Sequence, residues 1–201
     1  MNGIACIVLA AGLSQRFAPG HKLAYAVGGR PLLDHAIAAA AAGVTRLVVV
    51  TAAGDAASQA LARAHGGEVA INPEPARGLG RSIACGIAAL PAAAAGVFIA
   101  LGDMPCIAPA TYAALAAALV VPRGIVVPVH DGQWGHPVLF GAVHLAALAA
   151  LDGDRGAKRL ILAAGEDLRL IDVDDPGVLL DIDAAADVAR AESLLARRAT
   201  P

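Results

Sequence analysis

Short runs of apolar residues recur along the chain, and most of them are followed by an alanine-rich stretch of helical length. The clearest runs are residues 4–9, 47–51, 69–71, 97–101 and 125–129. They are apolar at nearly every position instead of every second one, which is typical of strands buried on both faces. Strands that alternate with helices predict an α/β fold with a mostly parallel, doubly wound, Rossmann-like sheet.

Capping signals mark the ends of two intervening helices. Residues 31–42 begin with a proline in the first turn and stop at Gly43, a favourable residue just after a helix. Residues 55–64 begin with Asp55, a good N-cap, and end before Gly66. Both segments are therefore expected to be helices that cover the sheet.

The second half of the chain has a less regular pattern. It predicts a strand at residues 136–140, a helix at 141–151 and a terminal helix at 185–198, while the acidic stretch 172–175 is expected to be a solvated loop. No linker, repeat or change in composition divides the sequence. One domain is therefore expected over residues 1–201.

The charge pattern narrows the class of partner. The formal net charge is −2, 16% of the residues are charged, and Lys and Arg form no run. A nucleic-acid binder would carry a basic patch, so a small-molecule partner is expected and nucleic acid is not.

Residues 83–102 are uncharged and long enough to cross a bilayer. Because Pro91 divides them and alanine dominates, a helix, a turn and a buried strand are expected, and no membrane partner.

The cysteines and the first residues bear on the compartment. Cys6, Cys85 and Cys106 are widely spaced and match no zinc or redox motif, so they are expected to be reduced thiols. Residues 1–9 lack the basic region that begins a signal peptide. A cytoplasmic location is the expectation that follows.

Ligands of open α/β sheets bind at the carboxyl ends of the strands, so the loops there carry the candidate chemistry. The first predicted strand runs into Ala10, Ala11 and Gly12, small residues whose backbone N–H groups can approach a phosphate closely. Arg16 and Lys22 follow and supply two cations. The loop has neither the Walker A pattern nor the dinucleotide fingerprint. A plain glycine turn with two solvated cations is the alternative.

Asp103 directly follows the most apolar predicted strand. A single carboxylate there can anchor Mg²⁺ together with substrate phosphates, although a simple turn would use the same residues. Asp183 is either a second metal ligand or the N-cap of the last helix, and Asp181 is a weaker candidate. Ser82, near the start of a predicted helix, can meet phosphate or base, or only cap that helix.

Two glycines and a histidine complete the candidates that the residues themselves indicate. Gly78 and Gly80 would let the backbone approach a planar base, or they only relieve a turn. His136 leads a strand-like run and could point from its end at an acceptor. A structural histidine, hydrogen-bonded within the fold, is equally consistent with this position.

Taken together, these loops resemble those of the MobA-like NTP transferase family. The resemblance covers most of the chain and rests on LAAGLSQRF at 9–17 with Lys22, NP at 72–73 with the glycines and Ser82 behind it, LGDMP at 101–105, GHPVLF at 135–140, GDRGAK at 153–158 and DID at 181–183. In one respect the chain departs from the family, since Arg16 and Lys22 stand one position further apart than usual.

The resemblance implies a fold of the nucleotide-diphospho-sugar transferase type and a Mg²⁺-dependent nucleotidyltransferase. It also implies a function for individual residues. These are Arg16, Lys22 and Asp103 for catalysis, Asp103 and Asp183 for the metal, His136, Asp154 and Lys158 for the acceptor, and Leu9, Ala10, Ala11, Gly12, Asn72, Gly78, Gly80 and Ser82 for the nucleotide.

Within the family, the pattern is most similar to the branch that transfers CMP from CTP to the molybdopterin form of the molybdenum cofactor. The guanylyltransferase branch usually has two glycines where this chain has Ala11-Gly12. CTP and a molybdopterin-type acceptor are thus the implied partners, with a client molybdoenzyme as a further one, and Trp134 could stack on the pterin. Alternatives are a guanylyltransferase, a nucleotidyltransferase acting on a sugar phosphate or isoprenoid precursor, and a non-catalytic nucleotide-binding molybdoenzyme chaperone.

Overall fold

The computed structural model describes residues 3–12, 22–91 and 93–199. In this part of the chain the strands are β1 (Ile4–Ala10), β2 (Ala26–Val27), β3 (Arg30–Pro31), β4 (Arg46–Ala52), β5 (Glu68–Asn72), β6 (Gly96–Leu101), β7 (Ile125–His130), β8 (Gln133–Trp134), β9 (Val138–Gly141) and β10 (Leu168–Asp172). The α-helices are α1 (Leu32–Ala41), α2 (Ala56–Ala64), α3 (Leu79–Ala88), α4 (Pro109–Ala118), α5 (Leu145–Ala149), α6 (Lys158–Ala163) and α7 (Ala185–Ala199).

The large sheet has the order β10-β7-β9-β6-β1-β4-β5, and β8 pairs with the end of β7. β1 lies between β4 and β6 and is parallel to both, so that Leu9 pairs with Val50 on one side and with Leu101 on the other. β9 runs antiparallel to β6 and β7. The carboxyl ends of the parallel strands therefore meet at one edge, and the predicted mostly parallel α/β sheet is confirmed.

Both faces of the sheet are covered, which explains why the central strands are apolar throughout. In β1, Cys6 and Val8 belong to the core layer that contains α1 and α4 side chains, whereas Ile7 and Leu9 belong to the layer that contains α3 and α5 side chains. Burial of each large apolar side chain contributes about 2 kcal/mol. A polar residue at any of these positions would lose that contribution on one face or the other.

The first two predicted helices are confirmed, with small shifts at their ends. The Asp55 side chain accepts a hydrogen bond from the Ser58 amide at 3.0 Å, so it caps α2 as predicted. Pro31 pairs with Ala26 in the small β2–β3 hairpin, and α1 begins one residue later, at Leu32.

The second half departs from the predicted pattern. The strand expected at 136–140 begins at Val138, because the Gly135 amide donates to the Pro128 carbonyl and the His136 amide to the Val178 carbonyl. The helix expected at 141–151 is a 3₁₀ turn followed by the five-residue α5. β10 was not predicted, because as an edge strand it is only partly buried.

The expectation that residues 172–175 form a solvated loop is wrong for Asp175, which is buried. Its Oδ2 accepts from the Ala108 amide at 2.8 Å and from Thr111 Oγ1 at 2.5 Å. Its Oδ1 is hydrogen-bonded to the Arg198 guanidinium on α7. Thr111, Asp175 and Arg198 form the buried cluster, which attaches α7 to the first turn of α4.

The helices and the cysteines of the described residues were both singled out in the sequence. No helix there is long and apolar enough to cross a membrane. Cys6, Cys85 and Cys106 are free thiols. Burial raises the pKa of the Cys106 thiol to about 11, although the positive charge of Arg198 acts in the opposite direction. Burial also raises the pKa of Cys6, so both of these thiols are protonated at neutral pH.

Candidate functional site

The loops after β1 and β6 meet at the carboxyl edge of the sheet. The Gly102 amide donates to the Leu9 carbonyl at 3.0 Å. A Cβ at residue 102 would lie 3.0 Å from that carbonyl oxygen and 2.9 Å from Leu33 Cδ1, so the approach favours glycine. This packing brings Asp103, the next residue, close to the start of the predicted phosphate loop at residues 10–12.

Lys22 joins two carboxylates from distant parts of the chain. Its ammonium nitrogen lies 2.8 Å from Asp103 Oδ2 and 2.6 Å from Asp183 Oδ1. The Ile182 amide donates to the Asp103 carbonyl at 3.1 Å, and this backbone hydrogen bond brings Asp183 to the site. Lys22, Asp103 and Asp183 form the site cluster. The structure thus brings together three of the residues that the sequence predicted.

The site cluster is open to solvent on its acidic side. The Lys22 side chain is 11% exposed, whereas those of Asp103 and Asp183 are 29% and 65% exposed. Desolvation lowers the pKa of Lys22, but the hydrogen bonds and charges of the two aspartates together outweigh it, and the pKa lies above its ordinary value. Lys22 is therefore charged at neutral pH. Two carboxylates and one ammonium leave a net negative charge on these three described side chains.

The start of α7 bears on the two alternatives for Asp183. Asp187 Oδ2 accepts from the amides of Asp183 and Ala184 at 3.1 and 2.9 Å. These amides are bound by a residue of the first helical turn, while the Asp183 carboxylate contacts Lys22. Neither alternative is decided by these contacts, and metal binding by Asp183 stays a prediction.

Asp103 and Asp183 fit the chemistry of a Mg²⁺ site. Both carboxylates contact the same cationic atom, so one cation can be shared between them. Within residues 3–12, 22–91 and 93–199, no group of three or more His, Cys, Asp or Glu side chains is arranged to hold a metal. Mg²⁺ commonly takes one or two carboxylates and completes its shell with water and substrate phosphates. Two aspartates are therefore a sufficient protein contribution.

His136 lies beside the site cluster as a neutral imidazole. Desolvation lowers its pKa below the ordinary value, although the Ile99 backbone and the charges of Asp103 and Asp181 act in the opposite direction. Its Nδ1 is buried and has no hydrogen-bond partner among the described residues. Buried polar atoms are usually hydrogen-bonded, so this nitrogen lacks the partner expected of it, and the predicted acceptor contact of His136 stays a prediction.

Asp181, the weaker candidate in the sequence, lies close enough to Asp103 and Asp183 for their charges to act on it. Burial raises its pKa above the ordinary value, and the negative charges of Asp183 and Asp103 raise it further. Alternate residues of an extended segment share a face. The DID pattern at 181–183 therefore carried a signal that both carboxylates approach the same site.

Asn72 and Ser82 form a buried pair at the end of β5. Asn72 Nδ2 donates to Ser82 Oγ at 2.9 Å, and Asn72 Oδ1 accepts from the Glu74 amide at 2.9 Å. The pair connects the strand end to the first turn of α3, which is a structural function for both residues. Their assignment to the nucleotide stays a prediction.

Gly78 and Gly80 pack against the loop at residues 152–154. The Gly80 amide donates to the Gly153 carbonyl at 2.8 Å. A Cβ at residue 78 would lie 2.2 Å from Asp154 Oδ1, and one at residue 80 would lie 2.8 Å from the backbone of the same loop. This packing is sufficient reason for both glycines. Contact with a base stays a prediction.

For the remaining predicted residues, the structure gives the position and the exposure but no contact that indicates a ligand. Residues 9–11 are buried at the end of β1, and Gly12 is exposed. Asp154 lies against the loop of Gly78, and Lys158 begins α6; both are exposed. Arg16 lies outside the residues that the structure describes, so its predicted function stays a prediction.

Comparison with known proteins identifies relatives of this chain. The family model of the MobA-like NTP transferase domain matches residues 6–168. Molybdenum cofactor cytidylyltransferase of Escherichia coli K12 is 25% identical over 193 residues, which cover 96% of this chain and 97% of that protein. Bifunctional protein GlmU of Sphingopyxis alaskensis is 34% identical over 161 residues, which cover 78% of this chain and 34% of GlmU. The chain thus spans about a quarter to a third of the GlmU proteins that it matches.

Solved structures share the same architecture. The structure of Rv0371c from Mycobacterium tuberculosis H37Rv, in complex with manganese, is 26% identical in sequence, with a TM-score of 0.79. The similarity covers 96% of this chain and 99% of that chain. The fold is of the nucleotide-diphospho-sugar transferase type, as the sequence predicted.

Proposed function

The chain belongs to the MobA-like NTP transferase family and is a nucleotidyltransferase, and we propose that it transfers CMP from CTP to the molybdopterin form of the molybdenum cofactor. Pyrophosphate is the second product. The proposal includes Mg²⁺ as the metal and a client molybdoenzyme as the protein that receives the finished cofactor.

The site cluster is the observation that carries the proposal. Lys22 supplies a cation for phosphates, and Asp103 and Asp183 are carboxylates that fit a divalent ion. All three lie at the carboxyl edge of the sheet, beside the loop of small residues that ends β1. A loop of small residues, a cation and a pair of carboxylates in this place match the components that phosphoryl transfer requires.

The reaction needs no general base from the protein. An oxygen of the acceptor's terminal phosphate attacks the α-phosphorus of CTP. As the new P–O bond forms, the bond from the α-phosphorus to the bridging oxygen breaks, and its electron pair leaves with pyrophosphate. The attacking phosphate is largely ionised at neutral pH, so the chain contributes position and charge neutralisation.

Each part of the site has a stated task in this reaction. Lys22, and Arg16 by its place in the sequence, stabilise the negative charge that grows on the departing pyrophosphate. Asp103 and Asp183 would hold Mg²⁺, which would supply charge neutralisation on the triphosphate. His136 orients the acceptor through its unpaired Nδ1.

The choice of substrates rests on the relatives and on one pair of residues in the first loop. The E. coli cytidylyltransferase matches this chain over nearly its full length, and the Ala11-Gly12 pair differs from the usual guanylyltransferase pattern. A divalent metal is supported by the manganese complex of Rv0371c. GlmU is more similar in identity over a shorter segment, and a sugar phosphate, the alternative that the sequence left open, is the second candidate acceptor.

A transfer assay with all four NTPs tests the proposal. Each α-labelled NTP is incubated with molybdopterin, a sugar 1-phosphate or an isoprenoid-precursor phosphate, in the presence of Mg²⁺. We expect label to move from CTP to molybdopterin at least about tenfold faster than in any other combination. Preference for GTP would assign the chain to the guanylyltransferases, and preference for a sugar phosphate would replace the acceptor.

A chaperone that binds nucleotide without turnover is the candidate from another class. Such a protein would bind CTP but release no pyrophosphate when the acceptor is added. The retention of Lys22 and Asp103 in one cluster argues for an enzyme. Pyrophosphate release that depends on both acceptor and Mg²⁺ would exclude the chaperone.

A further inference from the structure

Trp134 is a large aromatic residue presented to solvent at the edge where the reaction is proposed. It is the only tryptophan of the chain, and 47% of it is exposed. Single exposed apolar residues are common on protein surfaces and need no explanation by themselves. The position and the support of Trp134 distinguish it from such residues.

The segment that carries Trp134 is held firmly. β7 and β8 form a hairpin whose two-residue turn, Asp131-Gly132, has φ values of 49° and 72°, the backbone that a tight hairpin requires. After Trp134, the Gly135 amide donates to the Pro128 carbonyl at 2.8 Å. A Cβ at residue 135 would lie 2.4 Å from the Val178 carbonyl oxygen. The backbone on both sides of Trp134 is therefore fixed by hydrogen bonds and close packing.

The strand register places Trp134 close to the height of Asp103. Phe98 of β6 and Val126 of β7 both pair with Leu139 of β9, so Leu101 and Val129, three residues further along, lie at the same height. Trp134 pairs with Val129. Trp134 therefore lies at the height of Leu101, two positions before Asp103 in the direction of β6.

The pairing also fixes the face on which Trp134 lies. Trp134 pairs directly with Val129, and directly paired residues share a face of the sheet. Val129 alternates with Ile125 and Val127, which lie in the core layer that also contains Ala157. Trp134 is thus on the same face as the segment 153–158, which the sequence assigns to the acceptor.

We propose that Trp134 stacks on a planar heteroaromatic ring of the acceptor and so selects for an acceptor of that class. The inference rests on the proposed function, because it concerns the acceptor of that reaction. Stacking suits a tryptophan that is rigidly supported, half exposed and flat. Trp134 shares a face of the sheet with the segment 153–158, which the sequence assigns to the acceptor, whereas the predicted nucleotide residues at the ends of β1 and β5 lie across β6 from β8. We therefore assign the ring to the acceptor, and the KM values for acceptor and CTP distinguish the two.

Direct binding of a pterin tests the proposal without turnover. Pterin-6-carboxylate is titrated by calorimetry into wild-type protein, Trp134→Ala and Trp134→Phe. Leu170→Ala is the matched control, because Leu170 is also 47% exposed but lies on the edge strand β10. We expect Trp134→Ala to weaken binding about tenfold, Trp134→Phe to stay within about threefold, and the control to equal wild type. Equal binding by Trp134→Ala, or no binding by wild type, would overturn the proposal.

Transfer kinetics separate this inference from the proposed function. With molybdopterin and CTP, Trp134→Ala should raise the acceptor KM about tenfold and leave the CTP KM and kcat unchanged. A raised CTP KM would mean that Trp134 meets the nucleobase, and the inference would be wrong. Pterin binding that depends on Trp134 in a protein without CMP transfer would refute the proposed function alone. Transfer to molybdopterin that ignores Trp134 would refute the inference alone.

Discussion

The site cluster and the buried cluster are built from the same residue types and differ in their surroundings. Each combines a basic side chain with aspartate and joins segments far apart in the sequence. In the site cluster the aspartates are 29% and 65% exposed. In the buried cluster Asp175 is 4% exposed, and Arg198 is 30% exposed. The comparison separates a carboxylate available to a ligand from one that is not.

Hydrogen bonding accounts for the difference. The Asp175 carboxylate accepts from the amides of Ala108 and Gly177, from the Thr111 hydroxyl and from the Arg198 guanidinium. Four donors occupy most of the acceptor capacity of a carboxylate. Asp103, in contrast, accepts from the Lys22 ammonium, which a divalent cation can displace. A saturated carboxylate stabilises the fold, and an unsaturated one can bind a ligand.

Asp103→Asn should show the difference between the two clusters most clearly, because it should lower transfer and leave stability unchanged. We expect transfer to fall about a thousandfold, because the amide cannot replace the anionic ligand of the divalent ion, a loss of about 4 kcal/mol in transition-state stabilisation. Steady-state kinetics at saturating Mg²⁺ measure this loss. The melting temperature should stay within about 2 °C of wild type, since the side chain is not buried.

Asp181→Asn is the matched control for that experiment. Asp181 lies near the same site, but its carboxylate does not contact Lys22 in the site cluster. We expect about a tenfold loss or less. If Asp103→Asn kept its turnover while Asp181→Asn lost it, the metal ligand would be the wrong aspartate.

Asp175→Ala should have the opposite result, a loss of stability with little loss of chemistry. Removal of the carboxylate leaves two amides, a hydroxyl and a guanidinium without their acceptor, which costs about 3 kcal/mol. For a chain of this size that lowers the melting temperature by roughly 6–12 °C. Urea unfolding measures the free energy, and kcat per folded molecule should stay within about threefold of wild type.

Cys106 provides a local readout for the same variant. A thiol with a pKa of about 11 is thiolate in about one molecule per thousand at pH 8. Cys106 should therefore resist alkylation in wild type and become reactive in Asp175→Ala. Arg198→Met should destabilise less than Asp175→Ala, because Arg198 is partly exposed. Unchanged stability of Asp175→Ala would remove the buried cluster from the structural account.

The sequence predicted the first half of the fold well for a physical reason. β1, β4 and β6 are buried on both faces, so each of them has a continuous run of apolar residues. β10 is an edge strand with three exposed positions, so it has no such run. β9 was misplaced at its start because tertiary hydrogen bonds hold residues 135 and 136 outside the strand.

The sequence indicated which residues belong to the site, but not which of them contact one another. Strand ends and family resemblance indicated Lys22, Asp103 and Asp183 individually. Their meeting spans 81 and 161 positions of sequence, which no local pattern encodes. Asp175 was misjudged for the same reason: a run of acidic residues suggests solvent, and nothing near it indicates that Arg198 returns to pair with it.

Lys22→Met removes the cation from the site cluster and tests whether a divalent ion can bind the two aspartates in its place. In the structure the Lys22 ammonium contacts both aspartates, so a divalent ion has to compete with it for the same oxygens. Without nucleotide, Lys22→Met should therefore bind Mn²⁺ about tenfold more tightly, which corresponds to about 1.4 kcal/mol. Electron paramagnetic resonance of free Mn²⁺ measures this affinity. The KM for CTP should rise, because a cation for the phosphates is lost.

Arg198→Met is the control, since it removes the cation of the buried cluster, where Asp175 keeps three other donors. Its Mn²⁺ affinity should equal that of wild type. The two variants together test whether exposure of the carboxylates decides which cluster admits a metal. Weaker or unchanged Mn²⁺ binding in Lys22→Met would mean that the ion binds away from the site cluster, because an added negative charge at its ligands must otherwise favour it.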